Sequence, residues 1–191
     1  SKGTKEHLNL LYEKDLSITL KKNSSINISE ELFLSENLEA PINSNEIVLD
    51  AYSGVGTIGM IASRKAKQVY GVEIVADAIK DAKMNAKNNN IENCKFYCAD
   101  AQDFMRRYDG EKMDTVFIDP PRKGCEESVL ETMVNMMPER IVYVSCDSAT
   151  LARDVKYLRE GGYEIKKWRA VDQFGHSGHV ETVCLLSKKA Q

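Results

Sequence analysis

From residue 46 onward, apolar and polar positions fall into short blocks of two alternating kinds. EIVLDAY, starting at Glu46, is a brief apolar run, and TIGMIASRKA after it carries helical spacing. QVYGVE, KFYCAD, MDTVFID and ERIVYVSC repeat the first kind. VADAIKDAKMNAKNN, AQDFMRRY, EESVLETMVNMM and ATLARDVKYLREGG repeat the second. In the first of these helical blocks apolar residues recur at 75, 76, 79, 82 and 86. The last is expected to close on its paired glycines. YEIKKWRAV and HVETVCLL follow as two further strands. Five strand–helix alternations predict an α/β chain, a parallel sheet covered by helices on both faces. Residues 1–45 lack this rhythm: LSITL (16–20) alternates like a strand, and a helix is expected from near Ser29 to before Pro41. The expected organisation is an amino-terminal extension, 1–45, and one domain over 46–191.

Composition narrows the class. With 42% hydrophobic and 29% charged residues the chain can build an ordinary globular core, and no apolar run reaches the length of a membrane span. A net charge of -3 excludes coating of nucleic acid by charge alone. Arg64, Lys65 and Lys67, Arg106 and Arg107, and Lys166, Lys167 and Arg169 read as solvated faces. Five cysteines, with no CxxC pair and no zinc spacing, predict free thiols, no metal and a cytoplasmic location. No signal peptide is visible, and the first residue is Ser1 rather than Met, as in a piece of something longer. Cys94 and Cys98, four apart on a strand, are expected in the core.

The polar landmarks gather at strand ends. Asp50, Glu73, Asp100, Asp119 and Cys146 each terminate a successive strand. In a doubly wound sheet ligands bind beyond those carboxyl ends. DAYSGVGTIG carries G-x-G-x-x-G at Gly54, Gly56 and Gly59, with Glu73 at the end of the next strand to accept from ribose hydroxyls. By itself this suits NAD as well as S-adenosylmethionine. FIDPPRKG (117–124) is a stiff turn lacking backbone donors at Pro120 and Pro121, able to hold a planar base against Asp119. Arg122 and Lys123 suit a phosphate or carboxylate. A related turn serves amino-group methyltransferases, with an aromatic where Arg122 stands.

DAYSGVGTIG, GVE, DPPRKG, VSCDSATLARD and GHVETV, in this order, resemble the S-adenosylmethionine-dependent RNA (uracil-5-)-methyltransferases, nearest to bacterial 23S rRNA members. The resemblance implies a Rossmann-like class I methyltransferase, with a mostly parallel seven-stranded sheet and helices on both faces. It implies Cys146 as nucleophile and Glu181 as general base. Asp50, Tyr52, Gly54, Gly56, Glu73, Asp100 and Asp119 would hold S-adenosyl-L-methionine, and Pro120, Arg122 and Lys123 the RNA, ribosomal rather than transfer. Arg122 or Lys123 would lower the Cys146 pKa. A truncated or degenerate domain that binds the donor without catalysis, an amino-group methyltransferase acting through DPPR, and a dehydrogenase are the competing classes. The chain departs from the family in lacking a Phe-Phe-Gln-x-Asn stretch, with KKNSSINISEELF in that region, and in having Ser148 where the family has proline. His176 and His179 are read as positioning the loop before Glu181.

Overall fold

The structure, a computed structural model, describes residues 42–171 and 181–190. The expectations for 16–20, for Ser29 to Pro41, and for His176 and His179 lie outside the described residues. The elements run β1 (Ile47–Asp50), α1 (Thr57–Ala62), β2 (Gln68–Glu73), α2 (Ala76–Asn88), β3 (Cys94–Cys98), α3 (Ala101–Arg107), β4 (Thr115–Ile118), α4 (Glu127–Met136), β5 (Arg140–Ser145), α5 (Ser148–Glu160), β6 (Tyr163–Val171) and β7 (Glu181–Lys188). They form a seven-stranded sheet in the order β3-β2-β1-β4-β5-β7-β6. The first five strands are mutually parallel, and β7 lies antiparallel between β5 and β6.

Strands β1, β4 and β5 are covered on both faces, which is why they read as nearly unbroken apolar runs. Alternate residues serve alternate layers. Leu49, Val116, Ile118, Ile141 and Tyr143 pack with residues of α3, α4 and α5. Val48, Phe117, Val142 and Val144 pack with residues of α1 and α2. The helices therefore change faces after β3, and the sheet reverses direction of growth between β1 and β4. That switch point opens a crevice at the carboxyl ends of the strands.

Three local expectations need correction. Cys94 is buried, but Cys98 is exposed, because it terminates β3 beyond the reach of α2; its thiol donates to the Ile74 carbonyl at 3.6 Å. Val75 and Ala76 lie outside the buried stripe of α2, since Val75 is the extended residue before the first turn; the buried face is Ile79, Ala82, Asn85 and Ala86. The helix of TIGMIASRKA stops at Ala62, where the Ser63 hydroxyl donates back to the Met60 carbonyl at 2.7 Å. At the sheet edge, Lys166, Lys167, Trp168 and Arg169 on β6 are exposed, in keeping with a solvated face.

Candidate active site

The glycine loop is held in place by Glu73. One carboxylate oxygen accepts from the Gly54 amide at 3.2 Å and the other from the Val75 amide at 2.9 Å. The end of β2 is thereby locked to the turn after β1. Gly56 has φ +88, and a Cβ there would meet the Phe96 ring at 2.6 Å, so only glycine lets the turn close against β3. Within the turn, the Gly56 amide donates to the Ser53 carbonyl at 2.7 Å. Tyr52 is half-buried, its hydroxyl 4.0 Å from the Cys125 sulfur. Asp100 caps α3, accepting from the Gln102 and Asp103 amides at 2.9 and 3.1 Å through one oxygen.

Asp50 is the buried acid of the set. One oxygen accepts from the Gly59 amide at 2.9 Å; the other has no partner. Burial raises its pKa to about 7, with the nearby charges of Asp119 and Glu73 adding to the rise and the Gly59 bond opposing it. A carboxyl that keeps its proton longer in the native state than its ordinary 3.8 contributes stability in full below pH 4 or so. That contribution is lost as pH rises through about 7. The difference amounts to about 4 kcal/mol at full ionisation. Asp50→Asn cannot ionise and keeps an acceptor for Gly59. In ligand-free protein, urea unfolding at a series of pH values should show wild-type stability declining between pH 4 and 8 relative to this variant. Parallel curves would contradict a proton held on Asp50.

The second half of the site is built by the loops after β4 and β5. Asp119 is half-buried, Pro120 buried, and Pro121, Arg122 and Lys123 exposed, in a turn closed by the Gly124 amide on the Pro121 carbonyl at 2.8 Å. Lys123 is engaged locally, 2.9 Å from Glu126. Cys146, half-buried, sits at a bend directly after β5. The Ser145 hydroxyl donates to the Asp147 carbonyl at 2.9 Å and accepts from its amide at 3.1 Å, clamping the chain on either side of the thiol. Asp147 then caps α5, accepting from the Ala149 and Thr150 amides at 3.0 and 2.9 Å. The Thr150 amide bond is the main cause holding its carboxyl below the usual range, and Arg122 is close enough to contribute.

Glu181, buried, opens β7. In the antiparallel register Ser145 faces Thr182, the last pair of that ladder; Cys146 follows Ser145 and Glu181 precedes Thr182, so both stand just beyond that pair at the same end of the two strands. The two positions thus lie at one end of the sheet, one strand over from the Asp119 turn that follows β4. Sequence reasoning missed Ser53 and Thr57, whose hydroxyls are buried without a partner, like the second oxygen of Asp50. Small hydroxyls in a turn carry no pattern of their own. It also missed Asp147 and Thr150, although an Asp immediately before a helix is a capping signal.

A doubly wound sheet with a reversed β7, a glycine loop after β1 and acids at the strand ends defines the Rossmann-like fold of the class I methyltransferases. A model of the tRNA (uracil-5-)-methyltransferase family matches residues 6–189, and the chain belongs to that family. It is 50% identical over 151 residues to a protein of Bacillus cereus described as an uncharacterized RNA methyltransferase, covering 78% of this chain and 33% of the relative. A similarly described protein of Oceanobacillus iheyensis is 41% identical over 189 residues, covering 95% and 41%. Among solved structures, the tRNA (uracil-54, C5)-methyltransferase of Pyrococcus abyssi, in complex with S-adenosyl-L-homocysteine, superposes with TM-score 0.64 at 35% identity, over 76% of this chain and 35% of that one. The chain therefore spans about a third of the length of several of the relatives it matches.

S-adenosyl-L-methionine is the cofactor this family implies. The loop fits it on two counts. Three buried polar atoms of the β1–α1 segment, on Asp50, Ser53 and Thr57, lack partners within the protein. Glu73 and Asp119 both lie near enough to Asp50 to raise its pKa, so the acids of three strand ends border one space, suited to a cationic donor. Among the described residues no group of His, Cys, Asp and Glu could hold a metal ion, and no helix is long and apolar enough to cross a membrane.

Proposed function

We propose that residues 46–191 form the domain that transfers a methyl group from S-adenosyl-L-methionine to C5 of a uridine in RNA, acting in the cytoplasm, with ribosomal RNA as target. The observation that supports this reading is that Cys146 and Glu181 stand at the same end of the β5–β7 ladder, one strand over from the Asp119 turn. The ribosomal assignment rests on the order of the motifs.

C5 of uracil is too weakly nucleophilic to attack a methyl group unaided. The Cys146 sulfur adds to C6, forming an S–C6 bond and moving the electron pair toward C5 and the O4 enolate. The donor, when bound, supplies an electrophilic methyl group on a sulfonium. Once C5 carries that methyl group, Glu181 takes the C5 proton, the electron pair returns to the C5–C6 double bond and the thiolate is expelled. The two groups must approach the base from different strands, which requires a base turned out of its stack. Pro120, on the rim of its turn, and Asp119 would hold that base, with Arg122 and Lys123 toward the phosphates.

The test uses 5-fluorouridine, whose C5 fluorine cannot leave as a proton. Incubated with donor and fluorinated transcripts, the protein should form a covalent complex that survives denaturation and maps to Cys146. Complex formation on ribosomal fragments in preference to tRNA supports the assigned target; preference for tRNA overturns that part, and no complex with either overturns the mechanism.

A further inference from the structure

The thiol and the base-holding turn lie on different strands, yet one helix fastens them together. Asp147, adjacent to Cys146, begins α5, and the same helix reaches across to the DPPRKG turn along its first two turns. The Thr150 hydroxyl donates to the Arg122 carbonyl at 3.2 Å. Arg153 donates to the carbonyls of Lys123 and Cys125, both at 3.0 Å. Behind it stands Asp154, a helix residue with no exposed surface. One of its oxygens accepts from the Cys125 amide at 2.8 Å and from the Tyr143 hydroxyl at 2.5 Å, and the other accepts from Arg153 at 2.7 Å. A single carboxyl thus joins the turn after β4, the strand that ends at the nucleophile, and the helix that follows it.

Close approach is built into the joint. Gly124 has φ +74, and a Cβ there would come within 2.6 Å of both Asp154 and Arg153. On its outer side a hollow of about 470 Å³ opens, bordered by Lys123, Glu126, Arg153 and Tyr157 and floored by Cys125 and Leu130. Pro120 and Cys125 anchor the turn in the core, and the hydrogen bonds from α5 tie its exposed part, Arg122 and Lys123, to the helix that follows Cys146.

We infer that Asp154 is a positioning residue for methyl transfer, setting the distance between the Cys146 thiol and the base held at Asp119. The inference rests on the reading of Cys146 as nucleophile. Among the described residues Asp154 bonds Cys125, Tyr143 and Arg153 and neither the Gly54 loop nor Glu73, so its effect belongs on the step in which base and thiol meet. Misplacement of reacting groups by about 1 Å costs on the order of 100-fold.

The test measures the rate of covalent complex formation with 5-fluorouridine RNA, alongside donor affinity and the kcat and KM for RNA. Asp154→Asn should slow complex formation and kcat by roughly 10- to 100-fold, with donor affinity and KM within about twofold of wild type. Arg153→Ala, altering an exposed side chain, should slow complex formation several-fold. If Asp154→Asn fails to fold, the Arg153 variant decides, and wild-type speed there overturns the inference. Wild-type speed in a folded Asp154→Asn overturns it too, as does a loss shared equally with donor binding. A wild-type protein that forms no complex overturns the nucleophile reading and this inference together, an outcome distinct from an active wild type with an unimpaired variant.

Discussion

Cys146→Ala should abolish methyl transfer, lowering kcat by at least about 10⁴-fold, while leaving donor affinity within about twofold. The size of the loss follows from the absence of a substitute. Of the other four thiols, burial pushes that of Cys125 up to about 12 and that of Cys184 up to about 11, and pushes the Cys94 thiol up as well. Such groups are protonated at neutral pH and have no path to a base. Cys98 is exposed, but it ends β3, four strands from β5 in the sheet. At the spacing of neighbouring strands that is about 19 Å. No rearrangement short of unfolding brings it to the edge beside Glu181. Donor binding is spared because Glu73 on β2 holds the loop at Gly54 and Asp50 on β1 holds the helix after it at Gly59, neither through Cys146. Isothermal titration with the donor, together with labelled-methyl transfer to RNA, separates the two. Residual transfer at more than about a hundredth of the wild-type rate would rule out the covalent route, since general acid–base catalysis and positioning alone could then carry the reaction.

The legibility of this fold has a physical origin. Each of β1, β4 and β5 is covered on both faces, so burial wrote itself into the chain as apolar runs that no helix would need. The acids at the strand ends were legible for a related reason: in a doubly wound sheet the carboxyl ends are where backbone polarity meets a crevice, and Asp50, Glu73 and Asp119 stand there. What escaped reading depends on tertiary register. Cys98 obeys the alternation of β3 but outruns the helix that would cover it. That Cys146 and Glu181 belong together came from the resemblance alone; the antiparallel insertion of β7 between β5 and β6, which puts both at one end of the sheet, is a pairing that no local pattern announces. Asp154 was invisible because an aspartate one position after an arginine on a helix looks like a solvated surface pair. Only the arrival of Tyr143 and Cys125 from distant elements makes it a buried joint.

Replacing Glu181 by glutamine should expose the second half of the reaction. The side chain is buried at the start of β7, so an amide of nearly the same shape will leave the fold and the approach of the base intact. It cannot, however, accept a proton from C5. Cys146 should still add to C6 and C5 should still receive its methyl group, but expulsion of the sulfur should be slowed by roughly 10²- to 10⁴-fold. Ordinary uridine RNA, with no fluorine, should then give a covalent protein–RNA complex carrying one labelled methyl group per protein. A rapid first turnover followed by a stalled second is the kinetic counterpart. The double variant with Cys146→Ala should be no worse than the cysteine variant alone, because a base that acts only on the adduct has nothing to do where none forms. A Glu181→Gln protein that turns over at the wild-type rate would assign proton removal to another group at this edge. The half-buried carboxyl of Asp119, on the opposing turn, would then be the first to examine.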